Sequence, residues 1–163
     1  MGSVDSKRAL AEESLKRGLH GEAIALYEEA MRGPLGDCDP TLLKGLGRAK
    51  LMAGDAAQAE RLFIRVHELD PAAFDAEVEL DYARALEALG KTEAAIRQYE
   101  SVAPRYAGEE AKVRLGLLLE KSGQDGRAQQ IFREAVETGR EAPSYYRSRQ
   151  GEWLKIAKQH LKN

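Results

Sequence analysis

Apolar residues recur at three- and four-residue steps along most of this chain, the spacing of one face of a helix. Leu42, Leu43, Leu46, Ala49 and Met52 form one such stripe, and Val78, Tyr82, Ala85, Leu86 and Leu89 form another. A third, more crowded, runs through Val113, Leu115, Gly116, Leu118 and Leu119. β-Branched residues are scattered and no alternation of period two runs far, so strands are not expected. Asp39-Pro40 and Asp70-Pro71 mark helix starts or the turns before them.

Each stripe stops at a glycine, and the segments beyond the glycines share one pattern. Gly18, Ala23, Tyr27 and Ala30 are matched by Gly54, Ala59, Phe63 and Val66. They are matched again by Gly90, Ala95, Tyr99 and Val102, and by Gly123, Ala128, Phe132 and Ala135. The alanine lies five residues after the glycine, the aromatic four further on, and a small apolar residue three beyond that. The copies are 36, 36 and 33 residues apart, the period of a repeat array. Each position has a physical reason. Glycine ends a helix cheaply in the left-handed turn. Alanine lets two helices approach closely, and the aromatic one turn later fills the space beyond that contact. Every glycine therefore separates two helices of an antiparallel hairpin.

These units resemble the tetratricopeptide repeat (TPR), a helix-turn-helix of about 34 residues. The second copy carries the family pattern most fully, with Leu43, Leu46, Gly47, Gly54, Ala59, Phe63 and Pro71. The fourth carries Leu115, Gly116, Ala128, Phe132 and Ala135. The first has Leu10-Ala11 at the Leu-Gly position and a long loop over Gly33–Asp39; the third has Tyr82-Ala83 and lacks the terminal proline. The resemblance covers roughly residues 4–140. It implies an all-α, right-handed superhelix of four helix pairs, over about 4–38, 39–73, 74–106 and 107–141, in one domain spanning 4–163. Residues 1–3 read as a cloning remnant. One further helix over about 143–161 places Trp153, Ile156, Ala157 and His160 at the spacing of a first helix, with no partner after it. It reads as the cap that a repeat array needs on its last apolar face.

The fold implies a concave groove lined mainly by the first helix of each pair, suited to an extended peptide or a partner helix. Residues rotated off the packed face define its floor: Lys44, Arg48, Leu51 and Met52, then Leu80, Asp81 and Arg84, then Arg114, Leu117 and Lys121. Arg8, Glu12 and Leu15 join from the first unit. Leu51, Met52, Leu80 and Leu117 are the expected apolar anchors. Arg48 and Arg84 stand at equivalent sites one repeat apart, and a guanidinium forks onto carboxylates. The alternative is that both pair with Asp or Glu on neighbouring helices. A TPR clamp for chaperone C-terminal tails needs two asparagines on successive first helices. The chain's one asparagine is Asn163, so that clamp is not expected.

Composition narrows the chemistry. At 43% apolar and 32% charged, the chain is neither a disordered tail nor a membrane span. A net charge of −2 argues against a dedicated nucleic-acid binder. The single cysteine, Cys38, excludes an internal disulfide and a cysteine-based zinc site. His20, His67 and His160 lie in different repeats without ligand spacing, and no nucleophile elbow, phosphate loop or dinucleotide fingerprint is present. Gly45-Leu46-Gly47 falls inside a helix and reads as close packing. No enzyme activity, cofactor, metal or small-molecule substrate is expected; the expected partner is an unidentified protein or peptide.

Charge is uneven: residues 1–102 hold 13 basic and 19 acidic residues, residues 103–163 hold 12 and 8. Arg140, Arg147, Arg149, Lys155, Lys158 and Lys162 make the C-terminal end basic. This leaves two alternatives to groove binding: self-association as a structural or tethering module, and contact of the basic end with RNA or an anionic membrane. Tyr145-Tyr146-Arg147…Trp153-Leu154…Ala157 is also similar to the last helix of certain bacterial TPR proteins that carry membrane segments before their repeats. That likeness implies a cytoplasmic scaffold domain, tethered to the inner membrane through a segment absent from this chain.

Overall fold

The computed structural model describes residues 2–163. Among them the regular structure is ten α-helices and two short 3₁₀ turns, Gly36–Cys38 and Pro71–Ala73, with no strand. The helices are α1 (Val4–Lys16), α2 (His20–Met31), α3 (Pro40–Met52), α4 (Ala56–Leu69) and α5 (Ala76–Ala88). They continue as α6 (Thr92–Val102), α7 (Glu110–Lys121), α8 (Asp125–Glu141), α9 (Ser144–Arg149) and α10 (Gly151–His160). Contacts within the chain gather into two compact units, one ending at Gly90 and one spanning Lys91–Asn163. In a repeat array each repeat packs only on its neighbouring repeats, so contacts are local along the chain. Met1, in the segment expected to be a cloning remnant, lies outside the described residues. Ser3 of that segment caps α1, its hydroxyl oxygen accepting from the Ser6 N–H at 3.1 Å.

The four repeat glycines end helices as expected. Gly18, Gly54, Gly90 and Gly123 have φ of 75°, 92°, 75° and 84°, the left-handed region. After three of them the next N–H turns back to a carbonyl five residues earlier: Leu19 to Ser14, Asp55 to Lys50 and Gln124 to Leu119, each at 2.8 Å. That is the Schellman closure, and it satisfies carbonyls the helix end would leave bare. Aspartates cap the starts of α3, α4 and α5. Asp39, Asp55 and Asp75 accept from the N–H groups of Thr41, Gln58 and Val78 at 2.9, 3.1 and 3.0 Å.

In the first unit the core holds Ala11, Ala23, Tyr27, Ala30, Leu42, Leu46 and Ala49 on one side, and Ala56, Ala59, Phe63, Val78 and Ala85 on the other. The Phe63 ring lies against Gly47, where an added Cβ would stand 2.6 Å from it. Ala11 and Ala83, at the equivalent position of the first and third copies, are fully buried. Tyr27 reaches the next pair instead, packing its ring and hydroxyl against Gly45 of α3. In the second unit Ala95, Tyr99, Val102, Ala128, Phe132 and Ala135 are buried, and the Phe132 ring lies on Gly116 as Phe63 does on Gly47.

The helix expected over 143–161 is two helices, α9 and α10, meeting at Gln150. Gln150 accounts for the break. Its amide oxygen accepts the Glu109 N–H at 2.8 Å, beside the first turn of α7. Tyr146 of α9 donates its hydroxyl to the Glu109 carboxylate at 3.0 Å. Gly108 makes room for this with φ 125°, and a Cβ there would stand 2.7 Å from the Gln150 amide. α10 then packs on α8 and α7. Leu154 lies on Gly139, Ala157 is fully buried, and His160 Nδ1 is 2.7 Å from the Glu120 carboxylate. Gln129 holds the helix end, donating to the His160 carbonyl at 2.9 Å and accepting the Lys162 N–H at 2.7 Å. α10 therefore covers α7 and α8 as a cap. Gln150→Ala strands the buried N–H of Glu109 and is expected to cost about 1–3 kcal/mol. Urea unfolding followed by the emission of Trp153, the one tryptophan, measures it.

Candidate interaction groove

The first unit contains a cavity of about 640 Å³ between α1, α2, α3 and the start of α5. Glu12, Leu15 and Lys16 of α1 line one side and Tyr27 of α2 the base. Thr41, Lys44, Gly45, Arg48 and Met52 of α3 form the floor, and Asp75, Glu77, Val78 and Asp81 the far wall. Helical spacing explains the floor, since residues 41, 44, 45, 48 and 52 follow one face of α3. Of the residues expected in the groove, Lys44, Arg48, Met52 and Asp81 are brought together here, along with Glu12 and Leu15. Met52 is 37% exposed, a large apolar side chain open to solvent.

Other expected residues stand elsewhere. Leu80 is buried at 3% exposure and belongs to the core, so it offers no anchor to a partner. α5 buries Val78, Glu79, Leu80, Asp81, Ala83, Ala85 and Leu86, which leaves it no broad free face. Leu51 is half-buried against the core around Phe63. In the second unit, Arg114 donates to the Glu110 carboxylate at 2.8 Å and stacks on Trp153 of α10, 4.9 Å from the ring centroid. Its charge is thus engaged by its own helix and by the cap. Leu117 is half-buried and Lys121 exposed. A second cavity, of about 250 Å³, is lined by Leu115, Leu119 and Ile131 with Glu100 and Arg127, and those two charges pair with each other.

The groove's charges fall into two sets. Asp81 is buried and serves two guanidiniums, Arg48 of α3 at 3.7 Å and Arg84 of α5 at 3.4 Å. The two arginines therefore do pair with an aspartate between them, the alternative the sequence leaves open. Glu12 pairs with Arg8 at 3.6 Å, and Asp75 is occupied as the cap of α5. Lys16, Lys44 and Glu77 are in no ion pair among the described residues. The uncommitted charges of the groove are therefore two cations and one anion. Tyr27 adds a hydroxyl that burial pushes up to about pKa 12, the Glu12 charge adding to the shift. Tyr146 in the second unit is likewise raised to about 12 by burial and by its bond to Glu109.

Both shifts predict the same pH dependence. A tyrosine ionises near 10 in the unfolded chain and near 12 in the folded one, so the unfolded state loses protons first. The stability these two tyrosines contribute is full below about pH 10 and falls as pH rises from there to about 12. An ultraviolet difference titration is expected to show Tyr27 and Tyr146 ionising at about pH 12, and Tyr27→Phe and Tyr146→Phe each to remove one of these late steps.

Among the described residues, no group of three or more His, Cys, Asp or Glu is placed to hold a metal ion. None of their helices is long and apolar enough to cross a membrane.

Comparison with known proteins locates the repeat. The tetratricopeptide repeat family matches residues 50–111, a segment that includes α4, α5 and α6. No curated protein matches the chain in sequence. Among solved structures, MamA residues 41 to the end from Desulfovibrio magneticus RS-1 is 24% identical with a TM-score of 0.71, over 96% of this chain and 90% of that one. MamA MSR-1 is 19% identical with a TM-score of 0.70, over 96% and 95%. The kinesin light chain TPR-like repeats of Podosopora anserina are 21% identical with a TM-score of 0.71, over 96% and 86%. At these identities the likeness is one of fold. The repeated glycine turns and helix pairs give the chain the fold of a tetratricopeptide repeat array, and the family itself matches its residues 50–111.

Proposed function

We propose that the chain is a non-catalytic protein-interaction module that receives a peptide or helix of a partner in the groove between α1, α3 and α5. The TPR fold supports an interaction or scaffold role. The observation that carries the finer reading is the cavity itself, of about 640 Å³, with Met52 and Leu15 beside the unpaired Lys16 and Lys44. Apolar contact supplies affinity in such a cleft, and a few placed polar groups fix orientation. A partner segment with an apolar side chain for Met52 and Leu15, flanked by a carboxylate for Lys44, matches these contacts. Arg48 and Arg84 act at one remove, because Asp81 holds them.

A random peptide library panned on the immobilised chain tests the reading. Selected peptides are expected to bind Met52→Asp at least about tenfold more weakly, since a carboxylate then faces their buried apolar anchor. Lys44→Gln weakens the acidic ones among them. Peptides bound equally by the parent chain and by Met52→Asp would place the binding surface elsewhere.

A further inference from the structure

We propose that the outer face of α9 and α10 docks on an anionic phospholipid surface, a second binding surface independent of the groove. Arg147, Arg149, Lys155, Lys158 and Lys162 are all exposed along this stretch. None of the five is in an ion pair among the described residues. Glu152 is the only carboxylate in α9 and α10. Elsewhere in the chain many basic side chains are spent on neighbours: Lys7 on Glu29, Arg48 and Arg84 on Asp81, Lys50 on Glu28, Arg114 on Glu110, Arg127 on Glu100. Along α9, α10 and the residues after them, five exposed cations thus stand against one carboxylate side chain, Glu152.

That charge is presented on a fixed frame. Tyr146 and Gln150 tie α9 to Glu109, His160 and Gln129 tie the end of α10, and Leu154 and Ala157 pack it down. The cations therefore sit on an ordered surface, and less side-chain and backbone freedom is lost when they meet a charged plane.

The residues also favour one type of surface. Lys155 and Lys158 stand one turn apart on α10 with Lys162 just beyond its end, and an ammonium is a hydrated point charge that suits a diffuse sheet of headgroups. Tyr145 is 70% exposed beside the arginines, an aromatic ring with a polar tip of the kind that settles at a lipid interface. Single-stranded nucleic acid instead needs several stacking platforms along a track. Here Tyr145 stands alone, because Trp153 is taken by Arg114 and Tyr146 by Glu109.

The test is co-sedimentation with vesicles at low salt. The chain is expected to pellet with phosphatidylcholine vesicles containing about one-third phosphatidylglycerol, to stay in solution with phosphatidylcholine alone, and to release as salt is raised. Each surface cation contributes about a fivefold gain in partitioning, so Arg147→Gln, Arg149→Gln and Lys158→Gln together weaken binding on the order of a hundredfold. The same charge change at Arg17, Arg32 and Arg61 in the first unit leaves it within about twofold. Circular dichroism of both variants confirms that the helices are retained. No pelleting with the anionic vesicles overturns the proposal. So does equal pelleting with both vesicle types, or equal loss from the two triple variants. Binding of a single-stranded RNA oligonucleotide that outcompetes the vesicles through the same three residues would reassign the surface to nucleic acid.

Discussion

Phe132→Ala is expected to destabilise the second unit by about 3–5 kcal/mol. The ring is fully buried, lies on Gly116 where a Cβ would stand 2.6 Å away, and meets the His160 ring of the cap at a centroid distance of 5.4 Å. Removing it opens a void touching α7, α8 and α10 at once, and none can close on it without leaving another contact. Gly116→Ala attacks the same contact from the other side. The added methyl meets the ring, so either the ring or the helix must move, at about 1–3 kcal/mol. Urea unfolding watched by Trp153 emission reports on this unit, because the chain has one tryptophan. A cost below about 1 kcal/mol for Phe132→Ala would mean that the aromatic on glycine does not organise the pair.

Arg48→Glu combined with Arg84→Glu is expected to lower the stability of the first unit by roughly 2–3 kcal/mol. Both arginines point at the buried Asp81, and reversing them gathers three carboxylates where one was neutralised. The figure sits below the range for a fully buried pair because the Arg48 side chain is 48% exposed and solvent screens it. Asp81→Asn added to the pair removes the central charge and is expected to restore part of the loss. If the double reversal left stability unchanged, Asp81 would not be the anchor of this corner. The same pair is therefore a poor probe of binding, since a lost partner could reflect a loosened floor. Met52→Asp, at an exposed apolar position, separates binding from stability.

Much of the architecture was legible because repetition multiplies a weak local signal. One glycine five residues before an alanine says little; four such pairs, each with an aromatic beyond it, specify a hairpin and its closest contact. All four glycines have positive φ, all four alanines are fully buried, and all four aromatics are at most 2% exposed. The groove was legible only in part. Lys44, Arg48, Met52 and Asp81 come from helical phase, whereas Leu80 does not, because α5 is covered on more than one face and phase alone cannot say so. The break at Gln150 depends on a hydrogen bond 41 residues away in sequence, and no local pattern announces it. Tyr27 on Gly45 is similar: the aromatic belongs to one repeat and its glycine to the next. Gly45, a second glycine beside the expected Gly47, was the available signal.

Amide and methyl chemical-shift mapping with a library-selected peptide tests most directly whether a partner binds in the α1–α3–α5 groove. Binding there is expected to concentrate the shifts on the Met52 methyl group, Lys44, Gly45 and the Tyr27 ring, with Lys16 and Val78 at the edges. Shifts confined to the second unit, or to residues of the first unit that do not line the cavity, would contradict it.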